Sequence, residues 1–294
     1  MGADALSKRS ILSAILVLSI THGLLLSCAY NPIWVVILTS SAIAYGALST
    51  LVAARRLYFL AGATPHAALF AVILSLPLTI TLGIGTEIMW STIIGVLLIY
   101  TAGYAIHRGI NSDIATSVFI AFTASGSVLA GYYVLTRYPV EFNIASLIMG
   151  DPLLTGLNDA VFASVIASAT FLGVYLTYRE QISLGIDRDS AYLSGINAKV
   201  YDLLIFTLLG VVAIGMLRIV GYVLEHILIL LPSSIALTTA KTMSEALEIS
   251  IITALTASLI GLHIGIILNL SPAGLTGLVL LTYYIVSLVF SSKR

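Results

Sequence analysis

The chain has 294 residues, of which 59% are hydrophobic and only 9% charged, with a formal net charge of zero. Soluble domains carry about 25% charged residues, so an ordinary globular protein is excluded, and without a basic block nucleic acid is not an implied partner. Cys28 is the only cysteine, which excludes an intramolecular disulfide and any cysteine-cluster metal site.

A membrane-spanning helix needs roughly 20 apolar residues, and ten runs qualify: Ile11 to Ala29, Ile33 to Ala53, Leu57 to Leu82, Ile88 to Ile106, Ile114 to Leu135, Ala160 to Tyr178, Val200 to Leu217, Ile219 to Ala240, Ala246 to Leu268 and Ala273 to Phe290. The first follows Lys8 and Arg9 and is long enough to span, so it reads as a helix that stays, not as a signal peptide. The expected fold is a single all-α domain over residues 1–294, a polytopic transmembrane bundle of about 8–10 spans. The range is open because Gly62, Pro65 and Pro77 interrupt Leu57 to Leu82 as a broken or re-entrant helix would, and because Arg218 marks either a kink or an external loop. With alternating spans, Lys8, Arg9, Arg55, Arg56, Arg108, Arg179, Arg188, Lys199, Lys241, Lys293 and Arg294 share one side. That side is then cytoplasmic, with both termini, and the chain belongs in the cell membrane in contact with lipid; only Arg137 and Arg218 disagree. Trp34 and Trp90 anchor the opposite interface. The loop from Thr136 to Asp159 is the largest external segment and has room for a short surface helix.

Two runs carry polar groups at depth. His66 lies ten residues beyond Arg56, about 15 Å in, and Pro65 removes a donor and frees the carbonyl of Ala61. An imidazole, a free carbonyl and a helix break at mid-depth fit a cation pathway; a histidine bonded to a neighbouring helix fits the same residues. Glu225, the one acidic residue deep in a run, lies at a similar depth and needs a partner. His226 follows it but points about 100° away on a helix. His66, Glu225 and His226 are therefore candidate ligands for one ion, with zinc or manganese suiting N and O donors, against the reading of a buried Glu-His pair that holds helices together. His22 and His263, in the external halves of their helices, read as packing residues, and His107 as interfacial. Thr242-Met-Ser-Glu245 is a capping box.

The polar stretch 179–199 must lie in water. Asp187 is a plausible N-cap and Gly195 a plausible C′ residue of a helix of about two turns. Asp187, Ala191 and Gly195 recur every four residues on one face, with Asp189 beside them, as a docking device for another protein. There is no P-loop, no His-Glu-x-x-His and no Gly-x-Ser-x-Gly, so the chain is expected to be no enzyme and to draw energy from another subunit or an ion gradient.

Four blocks resemble a known family, the metal-type (zinc, manganese and iron) permeases of ABC importers. Arg55-Arg-Leu-Tyr-Phe-Leu-Ala-Gly-Ala-Thr-Pro-His-Ala is similar to its Arg-Arg-Met-Ala-Phe-Leu-Gly-Asp-Ala-Leu-Ser-His-Ala block. Gly185-Ile-Asp-Arg-Asp-Ser-Ala-Tyr-Leu-Ser-Gly-Ile resembles its cytoplasmic Phe-Asp-Pro-Glu-x-Ala-x-x-x-Gly block, Arg218 to Ala236 its Val-Gly-x-Leu-Leu block, and Leu268 to Gly274 its Leu-x-Leu-Pro-x-Gly turn. The resemblance implies a homodimer with a short cytoplasmic coupling helix, docked to two ATP-binding subunits and fed by an extracellular metal-binding protein. The divalent metal is then transported substrate, with no permanently bound cofactor. His66 matches the family histidine, while Gly62 and Pro65 stand where the family has aspartate and serine. Glu225 and His226 are the candidates to replace the lost carboxylate. Two rival readings remain, a stand-alone ion-coupled secondary transporter of the small ten-span type and a membrane scaffold with structural Glu225 and His226.

Overall fold

The computed structural model describes residues 2–138 and 152–291; the surface helix expected in the 136–159 loop falls largely on residues outside them. Long helices run over Gly2–Ala29 (α1), Pro32–Ala54 (α2), Tyr58–Leu82 (α3), Glu87–His107 (α4), Ser112–Arg137 (α5) and Leu157–Ile186 (α6). The short Arg188–Leu193 (α7) follows, then Ala198–Thr239 (α8), Met243–Leu268 (α9) and Pro272–Ser291 (α10). Among the described residues there is no strand, and nine helices are long and apolar enough to cross a membrane. Small polar residues set their starts. The side chains of Asn31, Thr86, Asn111, Asn197 and Thr242 each accept from a backbone amide of the first turn, leaving fewer orphan donors at each helix start.

The longest helix, α8, resolves the count. Its 42 residues would reach about 63 Å if straight, twice the hydrocarbon thickness. Gly221 breaks it with φ 80 and ψ 159, a conformation open essentially to glycine alone. The contacts on either side show that the chain folds back there. Asp202 bonds Arg55 at the end of α2, Val212 lies at Tyr45 and Met216 at Ser41, so the first leg climbs antiparallel to α2. The amide of Ser233 then donates to Ser49 at 3.1 Å, and Tyr58 and Ser233 share a hydroxyl contact of 3.1 Å, which places Ser233 back near the level of Arg55. The two expected runs Val200 to Leu217 and Ile219 to Ala240 are therefore two antiparallel legs, making ten passages. The break is at Gly221 and not at Arg218, whose guanidinium instead bonds Glu87 at the start of α4 at 2.6 Å.

The run at Leu57 to Leu82 is one continuous helix in spite of its prolines. Thr64 explains part of this: its hydroxyl donates to the Ala61 carbonyl at 2.7 Å, taking up the acceptor that Pro65 leaves. That carbonyl is thus not the open cation ligand expected from the sequence. The core is formed by α2 and both legs of α8, with α3, α4, α6, α9 and α10 around them. Small residues allow the closest approaches: a Cβ at Gly46 would stand 2.9 Å from the Ile251 backbone, and Ser250 of α9 donates to the Gly46 carbonyl at 2.7 Å. The helix α1 lies at the rim, tied to α9 by a 3.0 Å contact between His22 and His263.

Candidate functional site

Two polar centres stand out, one at mid-depth and one at the end where α7 lies. The first is on the seam between α3 and the second leg of α8. His66 is eight residues, about 12 Å, from the start of α3. Its Nε2 lies 2.9 Å from the hydroxyl of Tyr222, the first residue after the Gly221 break. His226, one turn further, stands edge-on to His66 with ring centroids 5.6 Å apart, packs on Tyr222 at 4.4 Å, and holds its Nδ1 3.0 Å from the Tyr222 carbonyl. It also meets the backbone of Gly62, the position one turn before His66. A Cβ there would touch only Leu230, at 3.6 Å, so the absent side chain leaves room that the His226 ring borders.

The structure thus brings together His66 and His226 but not Glu225. The carboxyl of Glu225 is fully buried in the direction of Tyr45, and neither oxygen has a hydrogen-bond partner among the described residues. The roughly 100° between successive helical positions accounts for this. Tyr222, unremarked in the sequence, takes the third corner. The signal for it was its spacing of four from His226, which puts both on one helix face. No group of three His, Cys, Asp or Glu side chains among the described residues is arranged to hold a metal ion, so this seam offers two imidazoles and a phenol per chain. His66, Tyr222 and His226 are each only half-buried, along a stripe with Gly62 and Leu230.

The second centre gathers the α7 end of the molecule. Asp187 caps α7 as expected, accepting from the amides of Asp189 at 3.0 Å and Ser190 at 3.3 Å and from the Ser190 hydroxyl at 2.5 Å. These bonds hold its carboxyl below the usual carboxylate range, the Ser190 hydroxyl foremost. Gly195, with φ 84, ends the helix, and the amide of Ile196 returns to the Ala191 carbonyl. Ala191 is 4% exposed and faces the body, because a six-residue helix must anchor itself by one side. The exposed face of α7 is that of Asp189, Tyr192 and Leu193, the last 84% exposed. Beneath α7, Asp202 of α8 accepts from Arg55, from Arg188 at 2.5 Å and from His107 at 2.9 Å. The interfacial reading of His107 therefore gains a specific partner.

A family model described as ABC 3 transport family matches residues 25–291. Among curated proteins, the chain is 24% identical to the manganese import system permease protein ScaB of Streptococcus parasanguinis, over 85% of this chain and 86% of that one. It is 21% identical to a probable iron transport system membrane protein of Haemophilus influenzae, over 71% and 83% of the two chains. Among solved structures, PsaBC from Streptococcus pneumoniae in complex with Fab is similar with a TM-score of 0.74 at 18% identity, covering 91% of this chain and 95% of that chain; at that identity the likeness concerns the fold.

Proposed function

The chain belongs to the ABC 3 transport family, and from that premise we propose that it is the membrane permease of an ABC importer that moves a divalent metal ion along the α3–α8 seam. The supporting observation is the seam itself. Half-buried imidazoles and a phenol at mid-depth are poorly matched to lipid, so a second copy of the chain covers them. A two-fold axis along the seam doubles the site to four imidazoles and two phenols. The chain supplies only the path; ATP is hydrolysed by a separate subunit docked on the Asp189, Tyr192 and Leu193 face, and a binding protein delivers the ion from outside. On this reading the α7 face is cytoplasmic, with both chain ends. The family match over residues 25–291 favours this subunit over the stand-alone carrier.

The donors also bear on the ion. Imidazole suits zinc and iron, whereas manganese favours carboxylate and carbonyl oxygen. With Gly62 where the family block that the chain resembles has aspartate, and Glu225 without contact to His66 or His226, the seam selects zinc or ferrous iron over manganese. Uptake of radioactive zinc and manganese into proteoliposomes holding the permease and its ATPase tests this. His66→Ala and His226→Ala each reduce zinc uptake at least tenfold. Gly62→Asp, which the free space at Gly62 accommodates, moves the preference towards manganese. Equal zinc uptake in both histidine variants would remove the seam from the path.

A further inference from the structure

We infer that Asp202 is a positioning residue that links the docking helix α7 to α3, so that movement of α7 is delivered to His66. The inference rests on the permease reading and goes beyond it. The carboxylate of Asp202, with its side chain 6% exposed, holds three cationic or ring groups from three other elements. Arg188 is the first residue of α7, His107 the last residue of α4, and Arg55 the residue that closes α2. Arg55 extends the network: its other nitrogen donates to Gln181 of α6 at 2.6 Å, and Gln181 donates to the Tyr201 carbonyl of α8 at 2.9 Å. Five helices thus meet through two side-chain oxygens and one amide.

Direction comes from what each arm is attached to. Arg55 is followed by Arg56, which takes a left-handed φ of 55, and by Leu57, and α3 starts at once. Arg55 is therefore fixed to the corner from which α3 rises to His66, with no flexible loop between them. Along the helix that distance is only about 12 Å. On the opposite arm, Arg188 is 46% exposed while Arg55 is 6% exposed. The buried pair is the fixed half of the device and Arg188 its movable half. A displacement of α7 pulls on Asp202 through Arg188 and reaches α3 through Arg55, and α4 through His107.

The burial difference also dictates the experiment. Removing Asp202 strands Arg55 in the interior and endangers folding, whereas an ion-pair arm as exposed as Arg188 contributes little to stability. The permease is co-expressed with its ATPase and reconstituted, and zinc uptake and phosphate release are measured on the same vesicles. Arg188→Ala is expected to keep its melting temperature, co-purify with the ATPase and hydrolyse ATP, with zinc moved per ATP reduced at least tenfold. Arg188→Lys, a point charge able to reach Asp202 without the planar fork, restores part of that ratio. An unchanged ratio in Arg188→Ala overturns the inference, as does loss of ATPase binding, which would make Arg188 a docking contact. If the unaltered permease neither binds an ATPase nor carries zinc, it is the permease reading that fails, a result distinguishable from both.

Discussion

The mid-membrane seam and the corner at Asp202 use similar residues in opposite ways. At the corner, one buried carboxylate is shared by two guanidinium groups and a histidine, and Gln181 ties the edges. On the seam, two imidazoles and a phenol touch each other and little else, and the nearby carboxyl of Glu225 has no hydrogen-bond partner among the described residues. A saturated cluster transmits force because its members cannot move independently. An unsaturated one leaves lone pairs open to other donors. The difference lies in bonding and not in composition.

The largest way to break the comparison is at the corner. Asp202→Asn leaves the buried Arg55 without its counter-charge, and we expect a loss of about 3–5 kcal/mol, read as a fall in melting temperature in detergent. A fall of the size seen for surface pairs would mean that Arg55 finds another partner and that the corner is no fixed point. Next in size is Gly221→Ala. A side chain at φ 80 and ψ 159 is strained by about 1–3 kcal/mol, and the strain falls on the bend that brings Tyr222 and His226 to His66. The seam should loosen while the corner stays intact. Cross-linking a cysteine at Ser233 to one at Ser49, in a Cys28→Ser background, would report the second leg; undiminished cross-linking would show that the bend tolerates a side chain.

Hydropathy made the passages legible, including both legs of α8, because each leg is long enough to span by itself. The cap at Asp187 and the stop at Gly195 were legible too, since they act within a few residues. Asp202 was not, because its meaning lies in Arg55, 147 residues away, and in His107. All three sit where an apolar run ends on the basic side, the one hint the sequence held. Thr64 hid the fate of the Ala61 carbonyl, since a hydroxyl inside a helix gives no sign of which carbonyl it serves. Glu225 was legible as costly but not as apart from His66 and His226, because packing sets the rotation of a helix about its axis.

A smaller effect of opposite sign is expected at Glu225. Its carboxyl makes no hydrogen bond that substitution would lose, and replacing a buried polar group by an apolar one of like size is neutral or stabilising. Glu225→Leu should therefore raise the melting temperature slightly or leave it unchanged, with zinc uptake retained. A loss of uptake would bring Glu225 back to the seam in some other state of the transporter and weaken the contrast with Asp202.

The smallest effect concerns the rim of the corner, where α7 meets solvent. The carboxyl of Asp187 is held below its ordinary value by bonds from Ser190 and Asp189. A group lowered on folding contributes its stabilisation above its unfolded value, about 3.9, and loses it as pH falls through the folded one. Protection of the Ser194 amide, which closes on the Ser190 carbonyl, should then be flat from pH 7 to about 5 after correction for intrinsic exchange, and decline only below the ordinary aspartate range. Asp187→Asn, still a good cap, should remove that decline, while Asp187→Ala should lower protection at every pH. A decline that began near neutral pH would show that the rim is not held by its own cap.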